Sequence, residues 1–313
     1  AFAMSFSGLA YDHLYVDGVA YTSKFTVTRD AKGSTTTRSA ESRVGDDGMR
    51  LEFTIHTDSR DVFFTGFQFD LPEYDYTYST LSNTERTFSS VDTELWLWFR
   101  HQKEFGRFQT DLGVHWDLVS LFDRGPSLQA FQPRLSLRYS LFDSWRVRLS
   151  YGAFNQRVIT ISNEDDITSL FEAWVAIPKE LRVEEAHHVV FGLEGILSSH
   201  LTLDLQSYYK AYPSLVLYNR EKFYPADPDY VNGTGKAYGA ELLARYNSSF
   251  ADLSFAYSLG WTTVKVGGFT YAPRYDRRHT INALAVLHPL EDVDVAFRWE
   301  FGSGYPFTQT VGY

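Results

Sequence analysis

The chain has 313 residues, a formal net charge of −10, no cysteine and 17% aromatic side chains, with 25 Phe and 21 Tyr. The negative charge speaks against nucleic acid as a partner, and zero cysteine rules out a disulfide framework or a thiolate metal site. The mean hydropathy is −0.28, and the longest apolar runs, Leu95–Phe99 and Ala283–Leu287, fall far short of the roughly 20 residues of a spanning helix. Ala1–Ala10 shows no basic n-region and no cleavage pattern, so either a signal peptide has been removed or the chain starts inside something longer.

In chain order, Ala3–Val16 and Val19–Arg29 read as strands around a tight turn at Asp17–Gly18. Asp30–Gly48, with Gly33, Gly45 and Gly48, reads as a loop. Met49–Thr57 and Asp61–Tyr76 form the next pair, the latter with Phe63, Phe67, Phe69 and Leu71 on one face, and Thr77–Ser90 reads as a second loop. From Val91 the alternation sharpens. Leu95, Leu97 and Phe99 oppose Glu94, Trp96 and Trp98, and after Glu104–Gly106 the residues Phe108, Leu112, Val114 and Trp116 oppose Gln109, Asp111 and His115. Beyond a loop at Ser120–Gln132, Leu135, Leu137, Tyr139 and Leu141 turn at Phe142–Ser144 into Trp145, Val147, Leu149 and Tyr151. Ala153–Ala186 reads as a long insertion with an acidic run at Glu164–Asp166 and a short helix or strand over Ile167–Ala176. A hairpin at Val189–Tyr209 turns at Ser198–His200, and Tyr212–Gly235 reads as a loop. A further hairpin spans Lys236–Trp261, followed by a loop at Thr263–Asp276 and a last pair, His279–Leu287 and Val293–Phe301.

A period of two over about ten residues is a strand with one apolar and one polar face. Short turns alternate with long connections through the whole chain, which is the meander of an outer-membrane barrel rather than of a soluble sandwich. The charges on the polar parity, Arg134, Arg138, Arg146, Arg148, Glu194, Glu241 and Arg245 among them, would each cost several kcal/mol in a dry core unless paired, roughly the scale of an unpaired buried polar group or more. A lumen removes that penalty, so the apolar parity is expected to meet lipid. The expected fold is all-β, an antiparallel up-and-down transmembrane β-barrel of about 14 strands.

Three runs carry a resemblance. Gly235–Glu241 (GKAYGAE), Pro273–Ala285 (PRYDRRHTINALA) and Phe301–Thr308 (FGSGYPFT) resemble the C-terminal half of the barrel of TonB-dependent outer-membrane receptors, in which a G-x-E strand, an Asp-x-x-His strand start and a G-S-G-x-P-[FY]-T loop follow in that order. Here these are Gly239/Glu241, Asp276/His279 and Gly302–Thr308. Ala186–Tyr209, Pro133–Leu141 and Trp145–Gln156 resemble the preceding hairpins. The resemblance implies a barrel of about 22 strands enclosing a plug domain, of which residues 1–313 would be a part, without the plug or the TonB box. It implies an outer-membrane location and energy-coupled uptake of a scarce nutrient: siderophore-bound iron, cobalamin, a glycan or a peptide. The implied partners are outer-membrane lipid and lipopolysaccharide, the plug, the TonB complex and a small nutrient ligand. A passive porin or structural barrel is the alternative.

Candidate site residues follow from position. Glu241 and Arg245 stand four residues apart on one polar face, roughly 13 Å, too far to pair with each other. They either line the path to the plug or pair with neighbouring strands. Arg134, Arg138, Arg146 and Arg148 form a basic patch on one hairpin, which admits both steering of an anionic substrate and contact with an acidic plug. Glu194 shares the polar parity. Phe171, Trp174, Tyr218, Tyr224 and Tyr230 are loop aromatics positioned to stack on a ligand ring, or to pack the loops themselves. His187 and His188 are adjacent on a strand and point to opposite faces, which does not suit one metal ion. No G-x-S-x-G, H-E-x-x-H or phosphate loop occurs, so neither catalysis nor a cofactor is expected.

Overall fold

The computed structural model describes residues 1–30, 37–58, 60–80, 85–119, 128–161, 173–178, 180–219, 223–224 and 227–306. Strand follows strand: β1 (Phe2–Tyr11), β2 (Leu14–Asp30), β3 (Thr37–Asp58), β4 (Asp61–Thr80), β5 (Glu85–Val91), β6 (Glu94–Phe105), β7 (Phe108–Val119), β8 (Leu128–Phe142), β9 (Trp145–Gln156), β10 (Val158–Ile161), β11 (Ala173–Ala176), β12 (Glu184–Ile196), β13 (Leu201–Tyr218), β14 (Tyr230–Asn247), β15 (Ala251–Val266), β16 (Phe269–Tyr271), β17 (His279–Leu290) and β18 (Val293–Gly302). Fourteen are the long strands expected from the alternation; β5, β10, β11 and β16 lie in segments read as loops or insertion.

Two compact units result. The first holds residues 1–103, 112–133 and 155–183. Its antiparallel ladder runs β1-β2-β3-β4-β6, β5 pairs with the outer half of β4, and β10 pairs with β11. The second holds residues 104–111, 134–154 and 184–313. It contains the β8–β9 hairpin and the ladder β12-β13-β14-β15-β17-β18, with β16 folded back on β15.

The register places the apolar parities in continuous rows. In the first unit Gly18, Leu51, Phe67 and Leu97 lie in line across four strands, and Val16, Phe53, Thr65 and Phe99 in the next row. In the second, Val189, Tyr209, Tyr238 and Trp261 form one row, with the Tyr238 and Trp261 rings stacked 5.4 Å apart. Toward the short-turn end, Phe108 packs on Phe105 (5.5 Å) and on Tyr139 (4.5 Å). Tyr238 to Tyr246 is eight residues, roughly 27 Å along a strand, the scale of the apolar band between two aromatic girdles. Phe191, Leu205, Tyr209, Leu253 and Phe255 stand exposed on this face. That is the arrangement for lipid, since a water-facing apolar sheet forfeits about 25 cal/mol for every Å² left wet.

Several loop boundaries differ from expectation. Asp17–Gly18 is not a turn; it lies inside β2, and the β1–β2 turn falls at Asp12–His13. Gly18 serves the Phe6 ring, which occupies the space a Cβ would take, 2.2 Å from it. Asp30–Gly48 is strand from Thr37 onward, paired with both β2 and β4. Gly48 leaves room for Asp70 and Tyr21, whose atoms would stand 2.2 and 2.7 Å from a Cβ. Likewise Thr77–Ser90 contains the end of β4 and β5 up to Ser90, and Tyr212–Gly235 contains the paired ends of β13 and β14, Tyr218 opposite Tyr230. Thr263–Asp276 contains the end of β15, then β16 after Gly267 and Gly268, whose φ of 56° and 88° make the turn. At 22 residues β3 is roughly 70 Å long. It outruns the apolar band, and beyond it the ladder continues with polar residues on both faces. The acidic run Glu164–Asp166 lies outside the described residues.

Candidate functional site

The polar face of the second unit is carried by alternate residues of β8, β9, β12, β13, β14 and β15. One row runs Ser144, Ile196, Thr202, Arg245 and Ser254, fixed by the Ile196 N–H donating to the Ser144 carbonyl (2.7 Å) and by the β12–β13–β14–β15 register. Further along each strand, Glu194, Asp204 and Leu243 align, then Gly192, Gln206, Glu241 and Ser258.

Arg148 organises the first part of this face. Its Nε stands 3.0 Å from Glu194 Oε1, and its Nη2 donates to both Asp204 oxygens at 3.1 and 2.9 Å. Gln206 Nε2 donates to Asp204 as well (3.2 Å). Gly192 makes this possible, because a Cβ there would stand 3.1 Å from Arg148 Nε. Two of the predicted residues, Arg148 and Glu194, are therefore ion-paired. Arg138 donates to Gln109 Oε1 (3.1 Å), and the Arg134 guanidinium lies 5.1 Å from the centre of the Phe154 ring. Arg146, Glu194 and Arg245 line one cavity of about 240 Å³, with Asp143, Ile196, Thr202, Asp204 and Leu243. Glu241 is exposed one row further along.

The patch predicted as four arginines is thus also aromatic. Phe154 packs on His188 (4.9 Å), His188 meets Tyr212 edge-on (6.1 Å), and Lys210 Nζ sits 5.2 Å from the Tyr208 ring centre. Tyr208 lies over Gly239 and Gly260, its hydroxyl oxygen 2.7 and 2.9 Å from where their Cβ atoms would be. His187 turns to other partners, Tyr151 Oη and Glu185 Oε1, each at 2.9 Å. The Phe154–His188–Tyr212 strip escaped the sequence reading; only the seat of Tyr208 had a signal, Gly239 and Gly260 facing one another across β14 and β15.

The Pro273–Ala285 segment clasps both β15 and the Phe301–Thr308 segment. Asp276, 5% exposed, accepts from the Thr262 N–H (2.8 Å) and from Arg278 Nη2 (3.1 Å), while Arg278 Nη1 donates to the Gly260 carbonyl (3.1 Å) and its guanidinium lies over Trp261 (5.1 Å). The His279 N–H donates to Ser303 Oγ (3.0 Å), and Arg277 covers the Tyr305 ring at 4.1 Å. A Cβ at Gly302 would meet Arg277 Nη1 at 2.5 Å.

Of the loop aromatics, Tyr218 and Tyr230 meet at the tip of the β13–β14 hairpin, rings 6.2 Å apart. Tyr224 packs on Phe223 (5.1 Å) in a turn held by Asp227 Oδ2, which accepts from the N–H groups of both (2.9 and 2.7 Å). Trp174 belongs to the first unit, in β11, where its N–H donates to Ser42 Oγ (3.4 Å). Phe171 lies outside the described residues.

The polar face of the first unit differs in kind. Tyr21 Oη donates to Asp70 Oδ1 (2.5 Å), Gln68 Nε2 to Asp70 Oδ2 (2.8 Å), and Trp98 Nε1 to Glu52 Oε2 (3.1 Å). Gln132 and His115 both contact Asp117 (2.5 and 2.8 Å), and Arg157 stands 3.8 Å from Glu94.

The family of TonB-dependent receptor-like β-barrels matches residues 2–311. No curated protein matches the chain in sequence. Solved structures do match in fold. The FrpB iron transporter from Neisseria meningitidis superposes with a TM-score of 0.67 at 12% identity, covering 95% of this chain and 49% of that one. The siderophore receptor PiuA from Acinetobacter baumannii gives 0.66 at 13%, covering 96% and 54%, and the ferric citrate transporter FecA gives 0.71 at 10%, covering 96% and 48%. The chain spans about half the length of these structures.

Proposed function

Because this chain belongs to the TonB-dependent receptor-like β-barrel family of the outer membrane, we propose that it is the barrel portion of a receptor for energy-coupled uptake of a scarce nutrient, and that the nutrient is an anionic ferric chelate of the siderophore class. The single observation that carries the choice of cargo is the cation–aromatic wall of the second unit. Arg134 on Phe154, Lys210 on Tyr208, and Phe154, His188 and Tyr212 edge to face offer positive charge and ring faces together. Each cation–ring contact contributes about 0.5–2 kcal/mol and is strongest when water is excluded. The iron and siderophore receptors that share the fold support the same reading.

In this scheme the polar face of the second unit lines the lumen, with Arg138, Arg146, Arg148, Glu194, Glu241 and Arg245 toward the path or the plug. Tyr218, Tyr224, Tyr230 and Trp174 belong to the loop-side ends that meet the ligand first. The apolar rows meet lipid, and the loop ends lie in the lipopolysaccharide layer. A plug domain and the TonB complex supply gating and energy, and the protein acts as a receptor rather than an enzyme.

The test is ligand binding to the full-length receptor, followed by quenching of its tryptophan fluorescence. Ferric hydroxamate, catecholate and carboxylate chelates should bind, and Arg134→Ala with Lys210→Ala should weaken binding by roughly tenfold or more. Binding of a neutral glycan or of cobalamin, with no response to any ferric chelate, overturns the cargo assignment.

A further inference from the structure

On its β17 side, β15 loses its ladder partner partway along. Pairing with β17 ends at Leu259 and His279, and pairing with β16 begins only at Val264 and Tyr271. The backbone groups in between need other partners, because an N–H or C=O shut off from water without one is costly. Residues of the Pro273–Ala285 segment supply them. The Gly260 N–H donates to the Arg278 carbonyl (3.1 Å), the Gly260 carbonyl accepts from Arg278 Nη1 (3.1 Å), and the Thr262 N–H donates to Asp276 Oδ1 (2.8 Å). Arg278 Nη2 donates to Asp276 Oδ2 (3.1 Å), which ties the two grips together. The turn that aims Asp276 is closed by its own N–H on the Pro273 carbonyl (2.8 Å).

The two gripped residues are the ends of two rows. Register aligns Tyr208, Gly239 and Gly260 across β13, β14 and β15, and aligns His188, Lys210, Ala237 and Thr262 in the next row of the same face. These rows carry much of the cation–aromatic wall. On β14 they hold only Gly and Ala, so nothing bulky separates the β13 side chains from β15. The Tyr208 hydroxyl oxygen stands 2.9 Å from where a Gly260 Cβ would be, and Lys210 Nζ lies 5.2 Å from the Tyr208 ring centre. A displacement of β15 at Gly260 therefore moves the floor under Tyr208, and with it the ring that Lys210 faces.

We propose that Asp276 and Arg278 are positioning residues for the cation–aromatic wall: they hold β15 at Gly260 and Thr262 so that Tyr208 keeps its seat and Lys210 its place beside the ring. What the wall binds rests on the cargo reading above; where its residues stand does not. Neither Asp276 nor Arg278 touches the cargo, and their action passes through the main chain of β15. A carboxylate only 5% exposed that bridges an amide and a guanidinium suits that task, because its partners fix it and it fixes them. Trp261, 5.1 Å from the Arg278 guanidinium, keeps the planar fork in place.

The experiment uses the full-length receptor in detergent with a fluorotyrosine in place of Tyr208, read by fluorine NMR, and with amide hydrogen exchange followed along β15. The receptor with the clasp intact should give one narrow resonance. Asp276→Ala and Arg278→Ala should each move it toward the free-tyrosine position, and exchange at Gly260 and Thr262 should quicken roughly tenfold or more, the scale of an unmade hydrogen bond. Arg278→Lys, which keeps the charge and loses the fork, should fall between. Amides from Leu253 to Tyr257, paired with both β14 and β17, should keep their protection. Binding of a ferric tris-catecholate chelate, followed by tryptophan quenching, should weaken by a comparable factor in Asp276→Ala and change little when Asp276→Ala is added to Tyr208→Ala, because the clasp acts through the ring. Equal losses in both backgrounds mark a merely structural role and overturn the proposal, as does a Tyr208 resonance that stays put while Gly260 exchanges faster. Heat-modifiable mobility on gels checks that each barrel has folded, and Asp276→Asn, which keeps an oxygen for the Thr262 N–H, replaces an Asp276→Ala that has not. The expected fluorine and exchange changes in a receptor that binds no ferric chelate uphold the positioning role and overturn the cargo assignment alone.

Discussion

The polar faces of the two units solve the same problem in opposite ways. In the first, carboxylates are sunk into the wall: Asp70, 3% exposed, accepts from Tyr21 and Gln68, and Asp117, 8% exposed, accepts from Gln132 through Oδ2. In the second, arginines stand out from the wall: Arg148 is ion-paired with Glu194 and Asp204, while Arg146 and Arg245 stand exposed. A buried carboxylate with short neutral hydrogen bonds is a structural strut, because its lone pairs are already satisfied. An exposed guanidinium with open donors is an invitation to a partner. The first face is built to hold its own shape and the second to be met by something else.

That contrast can be broken by substitution. The largest effect should come from Asp70→Ala, which leaves the Tyr21 hydroxyl and the Gln68 amide without their acceptor and costs roughly 2–3 kcal/mol. Urea unfolding of the full-length receptor in detergent measures it, and a change under half a kcal/mol, at the scale of about ±0.5 for featureless surface positions, would remove Asp70 as a strut. Next, Gly48→Ala should cost about 2 kcal/mol by driving a methyl into Asp70 and Tyr21, while Gly192→Ala should cost well under about 1 kcal/mol because the Arg148 side chain can shift. Equal costs at the two glycines would erase the distinction between a fixed and a yielding face. Arg148→Ala should cost about 1 kcal/mol, discounted because Arg148, Glu194 and Asp204 are about a quarter exposed. A larger loss than Asp70→Ala would reverse the ranking of the two faces.

The smallest effect concerns the β17–β18 turn, beyond the apolar band. There His288 contacts Asp294 (2.8 Å) and Asp252 (3.3 Å), and these carboxylates hold its pKa above the usual histidine value. A raised folded-state pKa means that this stabilisation is complete below the unfolded value near 6.5 and fades as pH rises through the folded one. Histidine ring resonances followed by NMR should show His288 titrating late, and Asp294→Asn should bring it back toward 6.5. A midpoint at or below that value in the unmodified protein would discard the pairing.

The strands from Val91 to Tyr151 and from Lys236 to Phe301 were legible because each carries strict alternation, and burial on one side fixes which face is which. The polar halves of β3 and β4 were not, because above the membrane both faces are wet and the alternation fades. Gly18 in β2 and Gly48 in β3 mimic turn signals while in fact admitting Phe6, Tyr21 and Asp70. The candidate arginines were legible as a face but not as a set of contacts. Parity places Arg148, Glu194 and Asp204 on the same side; only register, set by the Ser144–Ile196 bond, brings them within reach of each other. The clasp between Arg277, Gly302 and Tyr305 was hidden for the same reason, since it joins residues that no local pattern relates.

All 17 residues of β2, Leu14 to Asp30, pair with β3 without a single shift. Such a ladder has a grammar of insertion and deletion. Removing one residue between Ala40 and Ile55 would transpose every residue on one side of the gap, sending Asp46 and Arg50 toward lipid and Met49 and Phe53 toward water. Within this hairpin, length can change two residues at a time or at the tips. A reporter peptide belongs at the Gly267–Gly268 tip, not at Gly45–Gly48, however loop-like those glycines look in the sequence.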